Sequence, residues 1–127
     1  MDGTRETGTS VLTEVSNSLV KLHKEQFGRG ATSARAHFAG PDTLVCVLHD
    51  VLLPAERKLV ELGQQDRVRE SRTSFQVATA KDFIAAVELI AYRKVRAFAS
   101  AIDPDADTVF ECFSFAPSES NGASSVV

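Results

Sequence analysis

At 127 residues, with 43% hydrophobic and 24% charged side chains, the chain has the length and balance of one domain with a single core. A net charge of −3, with Lys and Arg spread evenly, excludes the basic face that a nucleic-acid binder uses to release counterions from phosphates. The longest apolar run, Leu44 to Leu48, is too short for a bilayer, and Met1 to Ser10 has no apolar signal core, so cytoplasmic residence without direct membrane insertion is expected.

Residues 1–9 and 117–127 are rich in Gly, Ser, Thr, Glu and Asn and read as disordered ends, the latter a Ser-rich tail, around a single domain over 10–116. Leu12, Val15, Leu19 and Leu22 recur at helical spacing up to Phe27, and Gly28 supplies a helix stop. His23, beside Lys24, is expected in solvent. Ser33 to His49 reads as a hairpin turning at Gly40-Pro41-Asp42. In that register Phe38 faces Leu44, Ala36 faces Cys46 and Ala34 faces Leu48, which puts Arg35, His37, Val45, Val47 and His49 on the other side.

Pro54 opens a short connecting helix that Gly63 closes. A long helix then starts early in the stretch between Gln65 and Ser74 and runs to Arg93 on an apolar stripe of Phe75, Ala80, Phe83, Ile84, Val87 and Ile90. Its charged front end, Asp66 to Arg72, is expected to be solvated. Val95 to Phe115 forms a second hairpin turning at Asp103-Pro104-Asp105, with Val95 opposite Phe115, Ala97 opposite Phe113, Ala99 opposite Glu111 and Ala101 opposite Val109. The chain thus repeats a helix-plus-hairpin unit. The expected fold is α+β in the order α-β-β-α-α-β-β, a four-stranded antiparallel sheet with its helices on one face and its strand order open. In this reading Val45, Val47, Phe98 and Phe110 form an apolar outer face that a second copy covers, giving a homodimer.

Catalytic constellations do not emerge. Asp103, Asp105 and Asp107 imitate the start of a calcium loop, but its sixth and twelfth positions hold Thr108 and Ser114 where Gly and Glu are needed. His37 and His49 share a face with Arg35, yet a zinc site needs three or four ligands. Cys46 reads as a core thiol; Cys112 and Glu111 have no assigned role, although a buried Glu111 requires a partner. No cofactor or metal is expected, and the chain reads as non-enzymatic. Arg69 and Arg72 offer a forked anion-binding or docking ridge, to which Arg93, Lys94 and the ring of Tyr92 can contribute.

Four blocks, Leu22 to Gly30, Leu52 to Glu56, Val68 to Arg72 and Val87 to Val95, together resemble the MpsC family, a bacterial domain from a sodium-translocating, membrane-potential-generating system. Gly28, Gly30, Glu56, Arg72, Arg93 and Lys94 match family-typical positions, whereas Ala31 stands where the family has Pro and Ala91-Tyr92 where it has Thr-Gly. The resemblance implies a soluble, non-enzymatic accessory or regulatory module that associates with a membrane system for cation movement or inorganic-carbon uptake, lying peripheral to the membrane through a membrane-protein partner. The alternative is a dimeric binding module for a small anion or metabolite.

Overall fold

The computed structural model describes residues 3–117. Its elements run α1 (Gly3–Phe27), β1 (Ser33–Phe38), β2 (Thr43–His49), α2 (Pro54–Glu61), α3 (Gln65–Ala91), β3 (Val95–Asp103) and β4 (Thr108–Phe115). This is the expected α+β order, with one antiparallel sheet arranged β1-β2-β4-β3. The two hairpins join through their return strands, which leaves β1 and β3 at the edges. Helix α1 lies over β1 and β2, α3 lies over β3 and against α1, and α2 packs on α3.

Helix α1 starts at Gly3, well before Leu12, so the stretch expected as a disordered end is helical from Gly3 on; adding turns to a nucleated helix is cheap. Residues 1 and 2, and the Ser-rich tail from 118, lie outside the described residues. The helix ends as read: Gly28 has φ 86° and its N–H donates to the Lys24 carbonyl at 2.8 Å. Gly30 is required for a different reason. A Cβ there would meet Cγ1 of Val20 at 2.8 Å, so only glycine lets the chain turn this close to α1.

The first hairpin has the expected register throughout. The second does not. Val95 pairs with Phe115, but a bulge between Val95 and Ala97 takes up one residue, and from there Phe98 pairs with Phe113, Ser100 with Glu111 and Ile102 with Val109. A one-residue slip exchanges the faces. Phe98 therefore points to the helices, stacked between Phe83 and Phe113 at centroid distances of 5.9 and 4.8 Å, and is not part of the outer face. The slip is favoured because it places one more aromatic ring in the core, leaving the small Ala97, Ala99 and Ala101 outside.

Val15 and Leu19 of α1, Leu44, Cys46 and Leu48 of β2, Phe83 and Val87 of α3, and Val109, Phe113 and Phe115 of β4 form the buried core between helices and sheet. The opposite face carries half-buried Val45, Val47 and Cys112, exposed Ala97, Ala99 and Ala101, and Phe110. Phe110 is 41% exposed, large for an aromatic ring in a central strand. No helix among the described residues is long and apolar enough to cross a membrane.

Candidate functional site

The stripe of α1 continues past Leu19 to a residue four further on, His23, which is 4% exposed. Its Nε2 lies 2.8 Å from Oε2 of Glu111, itself 2% exposed on the inner face of β4. Glu111 faces the helices by alternation with buried Val109 and Phe113 on β4, and the bulge in β3 brings Ser100 opposite it. His23 is therefore not solvated as expected, and from α1 it supplies the partner that a buried Glu111 requires. An isolated buried carboxylate is costly, and the imidazole supplies the hydrogen bond that makes this burial tolerable.

A second buried pair lies alongside. Arg72, expected on a solvated ridge, is 7% exposed because Val68 and Arg72, a turn apart on α3, both face inward. Its Nε donates to Oε2 of Glu56 at 2.8 Å and its Nη2 to Oε1 at 2.6 Å, a two-point fork, and Nη2 also donates to the Val51 carbonyl at 3.1 Å. The guanidinium lies 3.9 Å from the centre of the Phe27 ring. Burial pushes the Glu56 carboxyl upward, but the Arg72 fork and the backbone N–H of Leu53 outweigh it, leaving the carboxyl below its ordinary value of 4.5. Glu56 and Arg72, both matched to family-typical positions in the sequence, are thus one structural unit that ties α2 to α3.

His23, Glu111 and Arg72 line one cavity of ≈ 40 Å³ between the end of α1, the middle of α3 and strands β3 and β4, with Phe27, Phe83 and Phe98 among its walls. Each keeps one buried polar atom without a hydrogen-bond partner in the described structure: Nδ1 of His23, Oε1 of Glu111 and Nη1 of Arg72. Buried polar atoms are nearly always paired, so three of them on residues that line one cavity single this region out as the candidate site.

The other expected contact residues do not gather there. Arg69 is exposed and bonds Asp66 at 3.0 Å. Arg93 sits at the far end of the sheet, over Phe115, donating to the Pro41 carbonyl at 2.8 Å and to Asp42 at 2.7 Å. Lys94 is exposed, and Tyr92 is 89% exposed. Tyr92 ends α3 in the left-handed region at φ 57°. Arg35 and His37 lie exposed on the edge strand, while His49 bonds Thr108 at 3.1 Å. Asp107 of the second turn accepts the backbone N–H groups of Val51 and Leu52 at 2.7 and 2.9 Å, a bracing role that ties the turn to the loop before α2. Among the described residues no group of three or more His, Cys, Asp or Glu is placed to hold a metal ion. Burial, only partly offset by the Ser16 hydroxyl, pushes the Cys46 thiol up to about 12, in keeping with its reading as a core residue.

A family model described as "Na+-translocating membrane potential-generating system (MpsC)" matches residues 7–117, most of the chain. Among curated proteins and among solved structures, none matches.

Proposed function

The chain belongs to the MpsC family of the Na+-translocating membrane potential-generating system, and from that membership we propose that it acts as a non-enzymatic accessory or regulatory module of such a system. It works from the cytoplasm and reaches the membrane through a protein partner. The observation that carries the reading is the sheet face that its own helices leave uncovered. Val45, Val47 and Phe110 form an apolar ridge beside a shallow trough of Ala97, Ala99 and Ala101 on β3. A ridge next to a trough is self-complementary under a two-fold axis, so a second copy is the occupant of this face. Burial of the Cys46 thiol supports the non-enzymatic part of the reading, since it holds little thiolate near neutral pH.

Two measurements test this. Light scattering should give twice the 13.7 kDa protomer mass, reverting to one on Phe110→Lys; a 13.7 kDa species for the unaltered chain would refute the dimer. Crosslinked co-purification from the native host should recover a multi-spanning protein of a cation-translocating system, and recovery of the chain alone would refute the accessory role. A second reading, a binding module for a small ligand, is favoured by the cavity whose lining residues His23, Glu111 and Arg72 each keep an unpaired buried polar atom.

A further inference from the structure

We infer that the end of the molecule where α3 passes into β3 is a seat for an anionic lipid surface, with Leu89 and Tyr92 entering the headgroup layer and Lys94 and Arg96 meeting the lipid phosphates. This goes beyond the accessory reading, in which a protein partner brings the chain to the membrane, by adding a lipid contact of the chain's own.

The first observation is where exposed apolar side chains gather. Leu89 is 75% exposed at the end of α3, Tyr92 is 89% exposed at its cap, and Phe38, 45% exposed, closes β1 at the same end of the sheet. Arg93 holds this end together, donating to the Pro41 carbonyl and Asp42 in the first hairpin turn and to the Ala116 carbonyl after β4. Packing within the chain gives no account of Leu89 or Tyr92. Tyr92 is moreover held at φ 57°, a left-handed conformation that strains a tyrosine and that glycine adopts freely. A ring kept in solvent at a strained position has no structural return, which points to something outside the chain that it touches.

Charge decides what that is. Lys94 and Arg96 follow Tyr92 in the chain and are both exposed. The acidic residues beside them, Glu88 and Asp42, are engaged: Glu88 accepts the Val95 N–H at 2.8 Å and Asp42 accepts from Arg93 at 2.7 Å. The opposite end of the sheet is acidic, with Asp103, Asp105 and Asp107 around the second turn and Asp50 donating its N–H to the Asp107 carbonyl at 2.9 Å. This polarity turns one end of the molecule toward a negative surface and the other away from it.

The residue types select lipid over protein. Tyrosine and leucine flanked by lysine and arginine suit a membrane boundary, where apolar groups enter the acyl edge and long cationic side chains reach the phosphates. A protein interface disfavours this mixture, since lysine is depleted there. At 89% exposure the Tyr92 ring projects from the surface instead of lining a groove, as contact with a flat, yielding surface requires.

The chain has one tyrosine and no tryptophan, so its fluorescence reports on Tyr92 alone. The whole chain is mixed with vesicles of phosphatidylcholine, or of phosphatidylcholine and phosphatidylglycerol in equal parts, and sedimentation with the vesicles and quenching of the tyrosine by acrylamide are measured. Expected are sedimentation with the mixed vesicles, a fall in quenching on them, and binding to pure phosphatidylcholine weaker by about tenfold or more, since each cation near an anionic bilayer contributes about fivefold. Lys94→Ala combined with Arg96→Ala should weaken binding by about twentyfold. Tyr92→Gly, which relieves the left-handed strain and so keeps the fold, and Leu89→Ser should each weaken sedimentation severalfold. Absence of sedimentation, equal binding to both vesicles, or sedimentation with Tyr92 as quenchable as in solution overturns the inference. So does a chain that leaves vesicles unbound but loses a multi-spanning protein from co-purification on Tyr92→Gly, because this end then docks a protein; the accessory role stands in that case.

Discussion

Replacing His23 by Leu should be among the most damaging single changes in this chain, because it removes the hydrogen-bond partner of a carboxylate that is 2% exposed. The 2.8 Å contact between Nε2 and Oε2 disappears while Oε1 already has no partner in the described structure. The carboxylate can stay charged and unpaired, at a cost of about 3–5 kcal/mol for a broken buried pair. A destabilisation of about 3–5 kcal/mol is therefore expected. With a urea slope of about 2 kcal/mol per molar, the midpoint should fall by roughly 2 M. Adding Glu111→Met should restore most of the loss, since two apolar groups of similar volume leave nothing unpaired. A His23→Leu loss below about 1 kcal/mol, or a double variant as unstable as the single, would refute the reasoning.

The Glu56 carboxyl has a lowered folded-state value, so its contribution is complete above 4.5 and is lost as pH falls through the folded value; Glu56→Gln should flatten that acid limb in urea unfolding curves measured below pH 4.5. Gly30→Ala should destabilise by about 1–3 kcal/mol, read from thermal unfolding, because the new methyl overlaps the Val20 side chain. Tyr92→Gly should stabilise by about 0.5–1 kcal/mol in the same assay, since the left-handed cap strains a tyrosine whose ring is almost wholly exposed.

Much of this architecture is written in local pattern. Gly28 stops α1 and the first hairpin takes the register set by its alternation and its Gly40-Pro41-Asp42 turn, because each feature depends only on residues close in sequence. The second hairpin was ambiguous for a physical reason. Both of its faces carry apolar side chains, so alternation alone could not say which points inward, and the bulge that moved Phe98 into the core depends on packing against Phe83. The candidate site was the least legible part. His23 does lie four residues beyond Leu19 on the buried stripe, a signal open to being read, but a histidine next to a lysine is ordinarily solvated. Arg72 likewise sits a turn beyond Val68, masked by the charged residues around it. What no local pattern contains is that His23 meets Glu111 across 88 residues of chain, with Arg72 lining the same cavity. Burial of such groups is decided by whether a partner arrives from another element, and only the packing of α1, α3 and β4 supplies it.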